Sequence, residues 1–319
     1  MSRLDSRALS ETPLSARVGA RVLMETTKQG ISRLVTVTAL VGYLLSLARW
    51  DAWSLGFVLP GAIGCVVGTW LSASGANALN MWLEGARDAR MDRTRHRPIP
   101  AGRASPRSVA VFGTLMAMAG VTVLAILCGT PAALVSLACV ASYVLVYTPL
   151  KTRTVWNTLA GTVPGALPAL IGTAAATPDA TLATLLDPFG LSLVALMVVW
   201  QLPHFMAIAW MYREDYLRGG YRMLSGADST GRLTGWTMVA TALLLIPCVI
   251  LVGLSSDGTL AGFFVASGIV ITLLFAWTGV EFVKRPGRAT AKRVFLASVI
   301  VLPTLFLLMT GEAALRLVL

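Results

Sequence analysis

The residues NALNMWLEGARDARMDRTRHRPIPAGRASPR, from Asn77 to Arg107, lie between two long apolar runs. Asn80, Glu84 and Asp88 are spaced four apart, so on a helix they share one face. Asp92 follows them, and the stretch also contains seven arginines: Arg87, Arg90, Arg93, Arg95, Arg97, Arg103 and Arg107. An oxygen-rich helix face beside guanidinium groups suits a diphosphate bridged to a divalent metal. We therefore interpret this stretch as the polar mouth of a site.

The composition around this stretch indicates a membrane protein. The chain has 319 residues, of which 56% are hydrophobic and 13% are charged, and its mean hydropathy is +0.74. Soluble proteins carry about 25% charged residues, whereas apolar runs of about 20 residues match the thickness of a bilayer core. Such runs recur throughout the sequence. We therefore expect one polytopic membrane domain and no nucleic-acid partner, despite the net charge of +11.

Nine apolar runs predict nine transmembrane helices in an all-α bundle. We place this domain at residues 31–312, after an N-terminal tail (1–30) that leads into an interfacial turn, and before a short C-terminal tail (313–319). The predicted spans are residues 31–47, 55–79, 109–127, 132–147, 159–176, 191–211, 236–254, 260–281 and 294–309.

The positive charges favour one set of connections. All but two of the 26 lysines and arginines lie before residue 34 or in the connections after spans two, four, six and eight; the exceptions are Arg49 and Arg316. Because basic residues mark the cytoplasmic side, we expect a cytoplasmic N-terminus, an outer C-terminus and a bacterial inner membrane. The cytoplasmic active-site loops would be residues 80–107, 148–157 and 212–235. A single arginine in such a loop can also be a lipid anchor.

Two further connections carry polar clusters. In YTPLKTRTVWN (147–157), Lys151 and Arg153 could neutralise a phosphate, or could only anchor a helix end. In WQLPHF (200–205), His204 lies about two turns inside the sixth span. A lone histidine is often a packing residue, but ionisable groups inside a bilayer tend to be functional. We therefore treat His204 as a candidate site residue, and His96 as a solvated loop residue.

Other kinds of site are not supported by the sequence. The four cysteines lie in apolar runs without a CxxC pair, and the chain has only two histidines, which excludes a metal site built from several Cys and His ligands. No glycine-rich phosphate loop or Ser-His-Asp set is recognisable. The glycines at 64, 68 and 75 have the spacing of closely packed membrane helices.

These motifs together resemble the UbiA superfamily of intramembrane aromatic prenyltransferases. NxxxExxxD (80–88), continuing into RTxxRP (93–98), is similar to its first acidic motif in the protohaem IX farnesyltransferase (haem O synthase) branch. YTPLKTRTVWN (147–157) is similar to the second conserved loop, and WQxPHF (200–205) resembles the most distinctive signature of that branch. The motifs cover about residues 26–225 in the expected order.

The resemblance implies that farnesyl diphosphate alkylates a vinyl group of haem B, giving haem O for haem–copper terminal oxidases, with Mg²⁺ as cofactor. A downstream haem A synthase would be a partner. The implied catalytic and metal-binding residues are Asn80, Glu84, Asp88 and Asp215. The implied diphosphate ligands are Arg93, Arg97, Lys151, Arg153, Tyr147 and Asn157. The implied haem-binding residues are His204, Trp200 and Gln201, with His204 either ligating the iron or transferring a proton.

The sequence departs from the superfamily pattern in places. The first carboxylate is Glu84 where many members have Asp, and Gln29 stands where a proline often follows the first lysine. The second acidic motif is reduced to Glu214-Asp215, which weakens the expectation of two equal metal-binding motifs. The last three spans carry no motif and are expected to be scaffold.

Three alternatives remain open. A relative acting on a quinone precursor or on chlorophyllide would differ in the WQxPHF segment. A transporter would place its charges at the membrane midplane rather than at one face. A non-catalytic haem-binding protein would use His204 but would have no need of Glu84, Asp88 and Arg97. Pigment or haem analysis of expressing cells would separate these alternatives.

Overall fold

The computed structural model of the chain describes residues 19–50, 54–177, 180–260 and 262–318. Across these ranges every regular element is a helix. Nine helices or joined helix pairs in them are long and apolar enough to cross a membrane. The predicted all-α bundle with nine spans is therefore confirmed, and the chain is a multi-pass membrane protein.

The helices follow one another along the chain. They are α1 (Ala20–Thr26), α2 (Gln29–Leu47), α3 (Leu55–Asp88), α4 (Pro106–Cys128), α5 (Thr130–Ala141), α6 (Thr148–Leu150), α7 (Asn157–Ala175), α8 (Pro188–Met211), α9 (Arg213–Arg218), α10 (Leu224–Ala227), α11 (Arg232–Leu243), α12 (Leu245–Leu254), α13 (Gly262–Lys284) and α14 (Arg288–Val318). A π-helical segment, Ser142–Tyr147, joins α5 to α6.

Local signals explain several helix ends. The side chain of Ser105 accepts a hydrogen bond from the backbone N–H of Ser108 at the start of α4. Asp187 accepts one from the N–H of Gly190 at the start of α8. Each of these caps is followed by a proline in the first turn, where no N–H is needed. Gly129, at a φ of 88°, makes the tight turn between α4 and α5.

Several helices extend beyond the predicted spans. The second span was expected to end at residue 79, but α3 continues to Asp88, so residues 80–88 are helix and not loop. α14 continues to Val318 where a tail was expected from residue 313. α1 and the start of α2 occupy residues 20–30 of the expected N-terminal tail, while residues 1–18 lie outside the described ranges. Hydropathy marks the apolar part of a helix, whereas the helix continues wherever its polar side chains find partners.

Small residues allow α3 and α4 to pack closely. A Cβ atom at Gly75 would collide with backbone atoms of Gly113 and Ala117, and one at Gly120 would collide with the backbone of Ser72. In a lipid environment close backbone contact is a main source of helix association. This contact holds the polar end of α3 in a fixed position beside α4.

The bundle is arranged around the contact between α2 and α7. On one side, α3, α4 and α5 pack with them in a core that includes Tyr43, Leu124 and Ile171. On the other side, α8 and α11 to α14 form a second core, centred on residues such as Leu196 and Phe275. Large apolar side chains such as Leu115, Ile126 and Leu274 are exposed on the periphery, as expected for surfaces that face lipid. The C-terminal end of α3 defines what we call the motif face of the bundle.

Candidate active site at the motif face

The last turns of α3 present a buried row of oxygen acceptors. Asn80, Glu84 and Asp88 are 0%, 5% and 0% exposed. Because α3 is continuous through these positions, their spacing of four places them along one helix face. Burying two carboxylates and an amide is costly unless each has a polar partner. The partners come from three other parts of the chain.

A different cation contacts each acceptor. Lys28 Nζ donates to Asn80 Oδ1 at 2.5 Å. Lys151 Nζ lies 2.7 Å from Glu84 Oε1, and Arg97 Nη1 lies 2.7 Å from Asp88 Oδ2. Three cations therefore meet two carboxylates in a buried cluster, which leaves an excess of positive charge. We call these six residues the motif cluster.

Lys28 is a member of this cluster that sequence reasoning missed. It precedes α2 with a φ of 48°, in the left-handed region that is uncommon for residues other than glycine. Burial, followed by the charge of Arg97, lowers the pKa of Lys28 to about 7. A strained backbone and a cation held against its solvation preference are both costly, which points to a functional position. In the sequence, the position of Lys28 at the predicted interfacial turn was the available signal for a functional residue. Its partner Asn80 lies 52 residues away, so the sequence did not indicate their contact.

Lys151 is held in an aromatic cage. Its ammonium lies 4.5 Å from the ring centre of Tyr147 and 5.8 Å from that of Tyr221. Burial opposes the charge of Lys151, but Glu84 and the surrounding tyrosines outweigh burial and hold its pKa well above the ordinary value. Burial and the charge of Glu84 raise the pKa of Tyr221, so its hydroxyl stays protonated. Tyr221, also missed from sequence, can therefore donate a hydrogen bond to an anion.

Asn157 connects the loops around this cage. Its Nδ2 atom donates to the carbonyl oxygens of Thr154 at 2.6 Å and Arg222 at 2.7 Å. The N–H of Arg222 donates to the carbonyl of Lys151 at 2.7 Å. Arg153 is exposed and lines a groove of about 220 Å³ that also contains Glu84 and Tyr221. Asn157 thus orders the segment that carries Lys151.

Arg93 and Asp215 lie apart from the motif cluster. The carboxylate of Asp215 accepts the backbone N–H groups of Asp92 at 3.2 Å and Arg93 at 3.3 Å, and pairs with Arg218 at 2.8 Å. The guanidinium of Arg93 lies 4.9 Å from the ring centre of Tyr212. Arg93 and Asp215 line a separate, open recess of about 600 Å³. Asp215 therefore fastens the loop that follows α3.

The side chains at the end of α3 offer oxygen atoms that suit a divalent metal. Among the described residues, no three His, Cys, Asp or Glu side chains are grouped closely enough to hold one ion. Asp88 Oδ1, however, is buried and has no hydrogen-bond partner in the described part of the chain. Mg²⁺ usually takes only one or two carboxylates and completes its coordination with substrate phosphates and water. Asn80, Glu84 and Asp88 fit that role, whereas both oxygens of Asp215 already accept hydrogen bonds.

The WQxPHF segment faces two neighbouring helices. Gln201 is buried against α7, where its amide occupies the space that a Cβ at Gly165 would need. The same amide donates to the carbonyl of Met197 in its own helix at 2.9 Å. Trp200 Nε1 donates to the carbonyl of Ser298 in α14 at 2.9 Å, and His204 Nδ1 lies 2.7 Å from the hydroxyl oxygen of Ser298. α14, expected to be scaffold, thus contacts two of the implied haem-binding residues.

The sequence matches the UbiA prenyltransferase family over residues 35–307. The chain belongs to that family. A protoheme IX farnesyltransferase of Salinibacter ruber is 39% identical over 284 residues, which cover 88% of this chain and 95% of the relative.

Two solved structures share the fold. A digeranylgeranylglyceryl phosphate synthase matches with a TM-score of 0.69 at 15% identity, covering 92% of this chain and 98% of its own. A UbiA homologue from Archaeoglobus fulgidus, bound to DMAPP and Mg²⁺, matches with a TM-score of 0.56 at 12% identity, covering 88% and 99%. At these identities the similarity concerns the fold of the bundle.

Proposed function

We propose that this protein transfers the farnesyl group of farnesyl diphosphate to a vinyl group of protohaem IX (haem B), giving haem O for haem–copper terminal oxidases. The observation that carries the proposal is the convergence of Lys28, Lys151 and Arg97 on the acceptor face of α3. The haem acceptor is supported by the 39% identity to a protoheme IX farnesyltransferase.

The motif cluster suits a diphosphate because its cations exceed its carboxylates. In the structure Lys151 and Arg97 pair with Glu84 and Asp88. Diphosphate oxygens carry more charge than these carboxylates and would take over the two cations as charge-assisted partners. The carboxylates released in this exchange would become available to a metal. Tyr221 and Tyr147, on either side of Lys151, would donate further hydrogen bonds.

In the metal-loaded enzyme, Asn80, Glu84 and Asp88 would hold Mg²⁺, which supplies electrophilic stabilisation of the departing diphosphate. The Archaeoglobus fulgidus homologue, bound to DMAPP and Mg²⁺, supports a magnesium-dependent diphosphate site in this fold. Asp215 would act indirectly by holding the loop that carries Arg93. Arg153, which shares a groove with Glu84, and Arg93, in the separate recess, would steer the anion towards the cluster.

The reaction balances with water as the only co-reactant. The allylic C–O bond of farnesyl diphosphate breaks, and its electron pair leaves with the diphosphate. The π electrons of the haem vinyl group form the new C–C bond to the farnesyl carbon. Water adds to the other vinyl carbon and loses one proton, which gives the hydroxyethylfarnesyl group. Cations in the cluster stabilise the charge that develops on the leaving group.

The membrane-embedded part of the bundle would hold the farnesyl chain and exclude water from the allylic cation. Each buried CH₂ group contributes about 0.8 kcal/mol, so a C15 chain adds considerably to affinity. Of the three implied haem-binding residues, Trp200 and Gln201 already use their side-chain N–H groups within the bundle. Of the three, His204 would therefore be the residue left to contact the haem through a side-chain nitrogen.

We place the protein in a bacterial inner membrane. Its charge distribution supports a cytoplasmic N-terminus and motif face and an outer C-terminus. A cytoplasmic motif face gives direct access to soluble farnesyl diphosphate. A haem A synthase would consume the product in cells that convert haem O further. Fusions of alkaline phosphatase to the C-terminus test the orientation, because the enzyme is active only outside the cytoplasm; an inactive fusion at full expression would reverse the assignment.

Mass spectrometry of haems extracted from a strain that lacks its own enzyme tests the proposal. Expression of this chain should convert haem B to haem O, and Glu84→Gln should abolish the product at equal protein level. Glu281→Gln is a matched control, because within the described ranges Glu281 pairs only with exposed Arg293 at 3.3 Å. A prenylated quinone precursor or chlorophyllide without haem O would replace the proposal with the corresponding UbiA activity.

A further inference from the structure

A single serine in α14 contacts two residues of the WQxPHF segment. Ser298 is 0% exposed. Its backbone carbonyl accepts the indole N–H of Trp200 at 2.9 Å, and its Oγ lies 2.7 Å from His204 Nδ1. A buried hydroxyl in an apolar contact between two membrane helices is costly without a partner. The hydroxyl of Ser298 therefore makes a polar contact with His204 that no sequence motif indicated.

The hydrogen bonds of Ser298 determine which ring nitrogen of His204 carries the proton. A serine hydroxyl has one proton to donate, and Ser298 donates it to the carbonyl of Phe295 at 2.5 Å. The contact between Ser298 Oγ and His204 Nδ1 must then use a proton on Nδ1, with Oγ as the acceptor. In neutral imidazole the other nitrogen, Nε2, carries the lone pair.

The lone pair of Nε2 is available. Nε2 has no hydrogen-bond partner among the described residues, and it is not one of the polar atoms sealed inside the bundle. The imidazole is held between the rings of Trp200, with centres 5.2 Å apart, and Phe295, with centres 5.1 Å apart. His204 is thus an oriented nitrogen donor in a mainly aromatic environment.

We infer that Ser298 is a positioning residue: it fixes the tautomer and direction of His204, the haem-binding residue of the proposed function, so that Nε2 is presented to the haem iron as an axial ligand. The ligand identity rests on the proposed function. Histidine ligands of metals usually donate their second ring N–H to a hydroxyl, carbonyl or carboxylate, which fixes the tautomer and increases the donor strength. Ser298 supplies that acceptor here.

The surroundings favour iron ligation over proton transfer. A general base becomes an imidazolium ion, which in this setting would need a nearby carboxylate or other anionic partner. The described contacts of His204 are instead a hydroxyl and the rings of Trp200, Phe205 and Phe295. An axial ligand stays neutral and needs no such partner.

The position of His204 along α8 also suits a ligand of the haem iron. It lies seven residues before the end of α8 at Met211, which corresponds to roughly 10 Å along the helix axis. A macrocycle centred there would have its iron in the apolar part of the bundle. One edge of the ring would point towards the motif face, where the farnesyl diphosphate would be cleaved.

Spectroscopic titration of the purified full chain with ferric haem B and with iron-free protoporphyrin IX tests the inference. The wild type should give an imidazole-ligated Soret and EPR signature and should bind haem B more tightly than the iron-free ring. His204→Gly should lose both the signature and the preference for iron, and added imidazole should restore the signature. Ser298→Ala should weaken haem B binding roughly 10-fold or more and shift the iron–histidine stretching band, whereas Ser298→Thr should restore both.

Thr304→Ala is the matched control on α14, because among the described residues the Thr304 hydroxyl bonds only to the carbonyl of Ile300 in its own helix. An unchanged axial-ligand signature in His204→Gly would refute ligation. A Ser298→Ala protein with the same band and affinity as Thr304→Ala would refute the positioning role. The proposed function and this inference can fail separately. If the chain makes no haem O but shows the His204-dependent signature, the proposed reaction is refuted and the inference about Ser298 and His204 stands.

Discussion

Two clusters of basic side chains and carboxylates lie at opposite ends of the bundle and have different roles. At the end away from the motif face, Arg49 pairs with Asp187 at 2.8 Å and Asp257 at 2.6 Å, and lies 4.7 Å from the ring centre of Phe189. We call these residues the Arg49 cluster. It joins the connections after α2, before α8 and between α12 and α13, so it fastens three loops with one guanidinium.

The balance of charge separates the two clusters. The Arg49 cluster has two carboxylates and one cation, so a carboxylate is in excess. Burial works against the charge on Arg49, but its hydrogen bonds to Asp187 and Asp257 outweigh burial and raise its pKa. This cation is fully paired and is not available to a ligand. The motif cluster has a cation in excess, a lysine with a lowered pKa and an oxygen on Asp88 that has no partner among the residues the structure describes. A satisfied cluster stabilises a fold, whereas an incompletely satisfied one is ready to exchange partners with a ligand.

The largest contrast is expected between Glu84→Gln and Asp187→Asn. Glu84→Gln keeps the size of the side chain but removes the charge that holds Lys151 and a metal, so haem O formation per folded protein should fall at least about 100-fold. Asp187→Asn should lower the melting temperature in detergent and leave that rate within about twofold of wild type. Equal rates in the two variants would remove the distinction between the clusters.

The pH dependence of Lys28 gives the next test. With a pKa of about 7 in the free protein, Lys28 is mostly charged below pH 7 and mostly neutral above it. Affinity for Mg²⁺–pyrophosphate should therefore fall as pH rises from 7 to 9, by up to about tenfold per unit, because binding must recruit a proton.

Lys28→Arg isolates this effect from the titration of pyrophosphate itself, because arginine stays charged throughout. Calorimetry should show the steeper decline, and proton uptake on binding, only in the wild type. Superimposable pH profiles for the two proteins would show that Lys28 does not titrate in this range. Arg49 provides no comparable effect, since it remains protonated throughout.

A smaller effect, on stability alone, is expected from Arg49→Ala. The substitution leaves Asp187 and Asp257 close together without their cation, and Asp187 is only 26% exposed. The cost should be roughly 1–3 kcal/mol, since solvent screens part of the repulsion. Thermal unfolding in detergent should show the loss, while KM for farnesyl diphosphate stays at the wild-type value. A raised KM with an unchanged melting temperature would contradict a structural role.

The smallest effect is expected from Asp257→Asn. The side chain of Asp257 is 68% exposed, and exposed ion pairs contribute less than about 1 kcal/mol. Its melting temperature should lie between those of the wild type and Arg49→Ala. High salt should shrink the difference from wild type, because screening acts on exposed charges. A loss as large as that of Arg49→Ala would mean that Asp257 carries most of the cluster.

The fold could be predicted from sequence because a bilayer imposes a length on every apolar run. Hydropathy alone underestimates helix length where polar residues continue a helix. Hydropathy ends the second span at residue 79, but α3 reaches Asp88 because cations from distant segments satisfy its polar face. These cations cannot be assigned from a local pattern.

The site was predictable to the extent that its contacts are local or belong to recognisable motifs. The structure brings Glu84 and Lys151 together, and also Asp88 and Arg97. Lys28 and Ser298 were missed because they act through contacts with residues far away in sequence. Asp215 was expected among the metal ligands, yet it binds the backbone of the loop after α3.

The exchange of partners in the motif cluster is tested most directly by binding of farnesyl thiolodiphosphate, an analogue that resists cleavage, to the purified protein with and without Mg²⁺. The account predicts tight binding only with Mg²⁺, lost in both Glu84→Gln and Lys151→Met and retained in Asp187→Asn. Binding of equal strength without Mg²⁺, or in Glu84→Gln with Mg²⁺ present, would contradict it.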